Sequence, residues 1–384
     1  MKTPAIHSTL HALRYTLYAI RYSLYALRYT LLAFLLSCSP QFYTSHIDMT
    51  MSGGILWPGK PEEPRIRYLW SLQQVNYQEG KTIVDILAGL EDLSDPKNSP
   101  ILLRPQGIYV DDKRFYIADP GAGRVTVIDK KDMKTFHIIE TDREELQYPI
   151  SVVSDREGNI YVSDPDLGRV IKYRGDGRFI SYLEGEWIRP SGLAIDRKRD
   201  VLYVADTLGH KVYAYSTSGK RLYEIGRRGE GEGEFNYPGY LFVDRDGLLY
   251  VSDSLNFRVQ IFGPDGRFMA KFGEPGDAYH TFDKPKGVAT DSEGNIYVVD
   301  AGKDMVKIFD RQGNLLLFFG EKGHEYGKFY LPTGIFIYDD VIYVADTINM
   351  RIQAFEYLKK NTAVQNKLEG SFQIGIRPQI GLRL

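Results

Sequence analysis

The sequence predicts an all-β fold made of six repeated sheets, and three observations lead to that prediction. A marker proline recurs at Pro105, Pro149, Pro190, Pro238, Pro285 and Pro332. A β-rich segment of the type Ile-Tyr-Val-Ser-Asp ends 14 to 16 residues after each proline. The final aspartates of these segments follow one another at intervals of 45, 42, 47, 47 and 46 residues. A fixed internal period of this length is typical of solenoids and propellers.

Each repeat has room for four short strands joined by tight turns. Apolar and polar residues alternate in segments such as Arg258–Phe262, and turn sequences such as Pro-Asp-Gly at 264–266 separate them. A single sheet of four short strands leaves both faces partly wet, whereas radial stacking of six sheets covers the faces and leaves only short edges. The sequence therefore predicts one six-bladed β-propeller over residues 65–357, although a chain of 384 residues has room for two or three domains.

The last repeat lacks its fourth strand. After Arg351–Tyr357 the chain continues into the polar run KKNTAVQNK. The segment Arg65–Leu72 (RIRYLWSL) precedes the first repeat and has no partner strand of its own. We therefore expect Arg65–Leu72 to pair with Arg351–Tyr357 and to close the ring.

The N-terminal segment 1–37 contains three nearly identical heptads, in which Arg14, Arg21 and Arg28 recur every seven residues. Two interpretations stay open. A helix would carry the arginines as one stripe on an apolar rod, which suits a membrane surface. The alternative is a translated tandem DNA repeat upstream of the true start codon, whose pattern reflects composition alone.

An uncharged run, YTLLAFLLS, leads into Cys38, the single cysteine of the chain. An apolar stretch after positive charge that ends in small residues is typical of a secretory signal and is too short to span a bilayer. Leu35-Leu36-Ser37-Cys38 resembles a bacterial lipobox. The resemblance implies a lipid on Cys38 and a protein anchored in the bacterial cell envelope. Ser39 in the next position favours the outer membrane over the inner one.

Three further segments complete the predicted organisation. Residues 38–64, rich in proline towards their end, are expected to form an extended tether. Lys81–Leu93 has apolar residues at helical spacing, which predicts a short helix. Residues 358–384 are predicted to be a disordered tail.

The order of motifs in each unit resembles the NHL repeat: Pro-x-Gly, then a β-strand ending in Asp, then Arg-Val five residues later. The resemblance covers 65–357, and the run WPGKPEEPRIRYL is similar to exported bacterial propeller lipoproteins of this class. It implies the propeller fold. It leaves the function open, because propellers of this type bind proteins or RNA, act as sensors or catalyse reactions.

Residues that recur in every unit are expected to build the scaffold, by ordering turns and pairing within a blade. Met305 takes the place of the basic residue in the fifth unit. The predicted scaffold residues are Asp119, Arg124, Asp164, Arg169, Asp206, Lys211, Asp253, Arg258, Asp300, Asp346 and Arg351.

Individual function is expected where the period breaks, as at Tyr240, which takes the place of a Gly or Ser in the fourth unit. The residues before the marker prolines differ from unit to unit, and their phase puts them around one mouth of a central channel. Cations and tyrosines there suit an anionic, aromatic or peptide ligand. The alternative is a set of unrelated loop residues exposed to water. The candidate ligand-binding residues are Arg104, Tyr148, Arg189, His210, Tyr237, Tyr240 and Lys284.

Composition and site chemistry narrow the expected partners. With 48 basic and 50 acidic residues the net charge is −2, which disfavours a strongly basic nucleic-acid binder. The propeller histidines occupy unequal offsets in their repeats, so neither a zinc ring nor another cofactor is expected. We expect a monomeric, non-catalytic scaffold that binds a protein, peptide or polysaccharide. The alternative is a metal-dependent lyase or lactonase-type hydrolase centred on the channel.

Overall fold

The computed structural model describes residues 43–48, 53–59, 61–77, 96–99 and 101–359. Within these ranges the chain is all-β, and its only helical turns are the 3₁₀ segments Pro96–Asn98 and Ser254–Asn256. None of the described residues forms a helix long and apolar enough to cross a membrane. The segment 1–37, Cys38, the helix predicted over 81–93 and residues 360–384 of the predicted tail lie outside the described residues.

Six antiparallel four-stranded sheets form the blades of a β-propeller, as the repeat predicts. Each of the first five blades uses four consecutive strands, which run in chain order from the innermost to the outermost. Blade 1 has β4–β7: Gly107–Val110, Arg114–Asp119, Arg124–Asp129 and Lys134–Ile138. Blade 2 has β8–β11: Ser151–Ser154, Ile160–Asp164, Arg169–Tyr173 and Phe179–Tyr182. Blade 3 has β12–β15: Pro190–Asp196, Val201–Asp206, Lys211–Ser216 and Arg221–Ile225.

The second half of the ring repeats this arrangement. Blade 4 has β16–β19: Pro238–Val243, Leu249–Asp253, Arg258–Phe262 and Phe268–Phe272. Blade 5 has β20–β23: Pro285–Thr290, Ile296–Asp300, Met305–Phe309 and Leu315–Phe319. Blade 6 has β24–β26: Pro332–Tyr338, Val341–Asp346 and Arg351–Tyr357. Its fourth strand is β3, Ile66–Tyr77, from the other end of the propeller.

The pairing of β3 with β26 confirms the predicted closure. The two strands are antiparallel, and the register runs from Tyr357 opposite Ile66 to Ile352 opposite Leu72. The first and last segments of the propeller thus share one sheet, which joins the ends of the ring without a covalent bond.

Two further strands lie inside the region 38–64, for which the sequence predicts a tether. β1, Tyr43–Asp48, pairs with β3 on one side and with β7, the outermost strand of blade 1, on the other. β2, Leu56–Trp57, pairs with the start of β3. The hydroxyl of buried Ser45 lies 2.6 Å from that of Thr135, which ties β1 to blade 1. These strands cover edges that would otherwise present unpaired backbone groups, so this part of the region belongs to the propeller.

Apolar clusters fill every junction between blades. One cluster joins blades 1, 2 and 3, one joins blades 3 and 4, and one joins blades 4, 5 and 6. A fourth cluster lies where the ring closes, with Trp70 and Leu72 of β3 packed among side chains of blades 6 and 1. Since the closing junction is filled like the others, hydrophobic burial holds the ring shut.

Candidate functional site

The repeated aspartate ends the second strand of each blade, where it binds the loop that leads into the innermost strand. Asp164, for example, accepts hydrogen bonds from the backbone N–H groups of Gln147 (2.8 Å) and Tyr148 (2.9 Å), just before the marker proline. Asp119, Asp206, Asp253, Asp300 and Asp346 receive equivalent backbone N–H groups. Each carboxylate therefore sets where its inner strand begins.

The repeated basic residues take several roles. Arg258 and Arg351 form ion pairs of 2.8 Å with the aspartates of blades 4 and 6. Arg124 donates to the backbone carbonyls of 97, 99 and 101. Lys211 pairs with Glu224 at 2.8 Å, and the exposed Arg169 lies over the ring of Tyr182.

In blade 5, where Met305 replaces the basic residue of the repeat, Lys307 supplies the cation. The ammonium of Lys307 lies 2.7 Å from the carboxylate of Asp300, and both side chains are fully buried. In blades 4 and 6 the corresponding position holds a glutamine whose amide donates to the aspartate. The ion pair thus persists in blade 5, with its cation moved by two residues.

Glycines two residues after the marker prolines let neighbouring inner strands approach closely. A Cβ atom on Gly334 would lie 2.2 Å from the carbonyl oxygen of Gln106, and one on Gly192 would lie 2.3 Å from that of Gly239. Gly107 and Gly287 are equally confined, at 2.5 Å and 2.7 Å. At these four positions a side chain would collide with the inner strand of the next blade, so the inner strands lie close together at this level.

A central cavity of about 410 Å³ begins at these glycines and is lined by the inner strands of all six blades. Its wall carries three aromatic side chains from blades 1, 4 and 6. The ring of Phe336 lies 4.8 Å from that of Tyr109 and 5.7 Å from that of Phe242, centroid to centroid. Blade 3 contributes the small Ala194 at the equivalent position. The large side chains thus come from three of the six blades, and the smaller residues of the others leave room for a small ligand.

Tyr240 lies at the glycine end of the cavity. Burial raises the pKa of Tyr240 well above its usual value, and the side chain of Thr333 lies near its hydroxyl group. Thr333 belongs to blade 6 and Tyr240 to blade 4, so the two side chains come from blades that are not neighbours.

The opposite end of the cavity is formed by the hairpins that follow the inner strands, and it is charged. Arg197 and Lys198 come from blade 3, Arg245 from blade 4, and Asp339 and Asp340 from blade 6. We call these five residues the charged rim. Its cations lie on blades 3 and 4 and its outermost acids on blade 6, so the rim has a positive side and a negative side.

One ion pair crosses the rim. The guanidinium of Arg245 lies 3.9 Å from the carboxylate of Asp339, and the two side chains are 65% and 75% exposed. Asp340, by contrast, binds Lys359 at 2.7 Å and accepts both the backbone N–H and the hydroxyl of Ser292 at 2.8 Å. Asp340 therefore stabilises the fold, whereas Asp339 forms one long, exposed ion pair within the described part of the chain.

The candidate residues chosen from the sequence differ in whether they line the central cavity. Only Tyr240 lines the cavity; the other six lie outside its lining. Tyr148 accepts a hydrogen bond from Gln106 at 2.8 Å, and Arg189 pairs with Asp166 at 3.4 Å. The rings of His210 and Tyr237 meet edge to face at 5.4 Å. Arg104 and Lys284 are exposed. The cavity extends from the glycines towards the hairpin face. Five of the other candidates lie on loops at the marker prolines, and His210 lies in the turn between β13 and β14 of blade 3.

Sequence reasoning missed the aromatic wall and the charged rim. The signal for the wall was present two residues after the glycine position, where the six units read Tyr, Val, Ala, Phe, Ala and Phe. The signal for the rim was the hairpin of the sixth unit. Its turn consists of Asp339 and Asp340 alone, whereas other units have longer turns such as Asp-Arg-Glu-Gly. Both are breaks in the period, as Met305 and Tyr240 are.

No cluster of three or more His, Cys, Asp or Glu side chains suited to a metal ion occurs in the part of the chain that the structure describes. His137 lies in the outermost strand of blade 1, where burial and the charge of Arg124 hold its pKa well below the usual value. Its Nδ1 atom lies 3.1 Å from the hydroxyl of Thr126. This histidine belongs to the packing of blade 1.

The fold and the cavity together define the chain as a six-bladed β-propeller with a central, ligand-sized cavity. No protein-family model matches the sequence, and a search of curated proteins finds no match. Many solved structures share the fold.

Three solved structures illustrate this similarity. An auxiliary nutrient binding protein from Bacteroides thetaiotaomicron superposes with a TM-score of 0.53 and 13% identity, over 68% of this chain and 71% of its own. A protein of unknown function from the same organism gives 0.52 and 17%, over 67% and 70%. A streptogramin B lyase gives 0.50 and 14%, over 66% and 93%. At these identities the similarity establishes the fold alone.

Proposed function

We propose that this chain is a bacterial envelope lipoprotein of the NHL-repeat propeller class, and that its propeller is a non-catalytic scaffold with the central cavity as its binding site. The observation that carries the proposal is the cavity of about 410 Å³ with contributions from all six blades. Small-molecule sites are concave and mostly apolar, with a few convergent polar groups. An aromatic wall below a charged rim fits that description.

The rigidity of the ring supports a binding role. The inner strands pack at backbone distance, and the junction between blades 6 and 1 is closed by β3. A preformed cavity lowers the conformational cost of binding, because few groups need to be ordered. Peptides, the termini of proteins and saccharides are the partner classes that we propose for it.

Thermal unfolding of the purified protein tests the binding role when it is measured at increasing concentrations of peptides, amino acids and oligosaccharides. A ligand that binds only the folded state raises the melting temperature as its concentration rises. The matched variant Ala194→Phe fills part of the cavity and should abolish the shift. If no compound stabilises the protein, or if the variant responds like the parent, the cavity is not the binding site.

The anchor is tested separately. We expect Cys38→Ala to abolish acyl labelling and to release the protein from the membrane fraction, because the lipid would be attached through the cysteine sulfur. Globomycin should cause accumulation of the unprocessed chain. A Cys38→Ala protein that still labels and still sediments with outer membranes would refute the lipoprotein proposal without affecting the binding site.

A further inference from the structure

We propose, on the basis of the binding function above, that the ligand of the cavity is a small zwitterion with a large apolar group, namely an aromatic or long aliphatic α-amino acid or a dipeptide of that kind. The carboxylate would lie on the cationic side of the charged rim and the ammonium group at Asp339. The apolar side chain would lie against the aromatic wall.

The crossing ion pair provides the first argument. Arg245 and Asp339 come from blades 4 and 6, which are not neighbours, and their charged atoms lie 3.9 Å apart over the cavity. The carboxylate and ammonium groups of an α-amino acid are separated by about 3 Å, because both are bonded to one carbon. An amino acid can therefore replace this pair, its carboxylate facing Arg245 and its ammonium facing Asp339. An exposed ion pair contributes little to stability, so breaking it to admit a ligand costs little free energy.

The remaining charges of the rim agree with this orientation. Arg197 and Lys198 add positive charge on the side of Arg245. The other aspartates of the lining bind their own hairpins: Asp196 accepts the backbone N–H of Lys198 at 2.9 Å, and Asp291 accepts that of Asn295 at 2.9 Å. Asp340 is occupied by Lys359 and Ser292. Asp339 is therefore the rim acid with the most freedom to receive a cation.

The backbone at Asp339 provides an independent argument. Asp339 and Asp340 form a two-residue turn between Tyr338 and Val341, and their φ angles are +48° and +60°. Such turns need two residues with positive φ, and Asn-Gly fulfils this with least strain. Two adjacent carboxylates in this conformation add charge repulsion to backbone strain. The turn holds the carboxylate of Asp339 at the mouth of the cavity.

The aromatic wall determines the apolar part of the ligand. Phe336 packs on both Tyr109 and Phe242, and its side chain is only partly buried. Its remaining exposed surface faces the cavity. An aromatic or branched aliphatic group would cover that surface and gain hydrophobic free energy.

Isothermal titration calorimetry of the purified protein with three related probes tests this inference. We expect L-phenylalanine to bind, and 3-phenylpropionate and phenethylamine, which each carry one of the two charges, to bind at least tenfold more weakly. In Asp339→Asn the affinity for phenylalanine should fall at least tenfold, while that for phenylpropionate should change less than twofold.

This variant separates binding from folding. Asparagine, like aspartate, adopts a positive φ angle readily, so Asp339→Asn should melt at the same temperature as the parent. The matched control is Asp200→Asn in the hairpin of blade 3, where Asp200 also has a positive φ of +55° but does not line the cavity. This control should bind phenylalanine like the parent.

The possible results discriminate between the two proposals. If phenylalanine binds no better than its singly charged analogues, or if Asp339→Asn binds it unchanged, the zwitterion inference is overturned. If a saccharide or an uncharged peptide binds and phenylalanine does not, the inference is equally wrong but the cavity remains a binding site. If Ala194→Phe binds every compound like the parent, the proposed function fails as well.

Discussion

Trp70→Ala should weaken the whole propeller, because Trp70 lies where the ring closes. Its side chain is 7% exposed and packs on Phe115 of blade 1 and on Tyr343 of blade 6, with ring centroids 5.8 Å away in both cases. A buried aromatic side chain removes about 150–250 Å² from water, which at ~25 cal/mol per Å² corresponds to about 4–6 kcal/mol. Partial collapse of the cavity brings the expected loss to about 3–5 kcal/mol, a large share of the ~5–15 kcal/mol typical of a folded domain.

Urea unfolding followed by circular dichroism measures this loss. Trp187→Ala is the matched control, because Trp187 is only partly buried and packs on Tyr213 and Tyr215, both within blade 3. We expect the control to lose less than half as much free energy of unfolding. If the two variants lose equal amounts, or if Trp70→Ala loses less than about 1 kcal/mol, the closing junction does not carry the stability assigned to it.

Two more predictions concern titratable groups. The pKa of His137 is depressed in the folded state by burial and by Arg124, so stability is complete above about pH 6.5 and falls as the pH falls, by up to ~1.4 kcal/mol per pH unit. Urea titrations at about pH 7 and about pH 5, on either side of the ordinary histidine pKa, should show a smaller difference in His137→Gln, and an unchanged difference would contradict this. Lys307→Met should cost about 3–5 kcal/mol, because it leaves the buried carboxylate of Asp300 without its cation. Met305→Arg combined with Lys307→Gln rebuilds the arrangement of blades 4 and 6 and should restore most of that loss in thermal unfolding, whereas a double variant as unstable as Lys307→Met would refute the reasoning.

The repeat was sufficient to predict the blades and the closing strand. Each unit carries its own strand alternation, turn residues and marker proline, so local sequence specifies local structure six times over. The prediction that Arg65–Leu72 completes the last blade followed from counting strands. The role of β1 did not follow, because nothing in the sequence Tyr43–Asp48 shows that two outer strands would meet beside it.

Of the seven candidate residues chosen from the sequence, one lines the central cavity. Tyr240 was recognised because it replaces a small residue in the repeat, and it does line the cavity. Five of the others, namely Arg104, Tyr148, Arg189, Tyr237 and Lys284, were chosen because each directly precedes a marker proline. Phase in a repeat gives the level of a residue along the axis. It does not tell which level is open, because that depends on side-chain volumes summed over six blades.

The sequence by itself determined the class of fold, the number of blades and the way the ring closes, because these depend on patterns that each repeat contains in full. Only the tertiary structure decided what the centre of the ring holds. Arg245 and Asp339 lie in hairpins of different blades, and Tyr109 and Phe336 lie at opposite ends of the repeat array. These side chains meet because the ring closes. Their contact cannot be predicted from their separation along the chain.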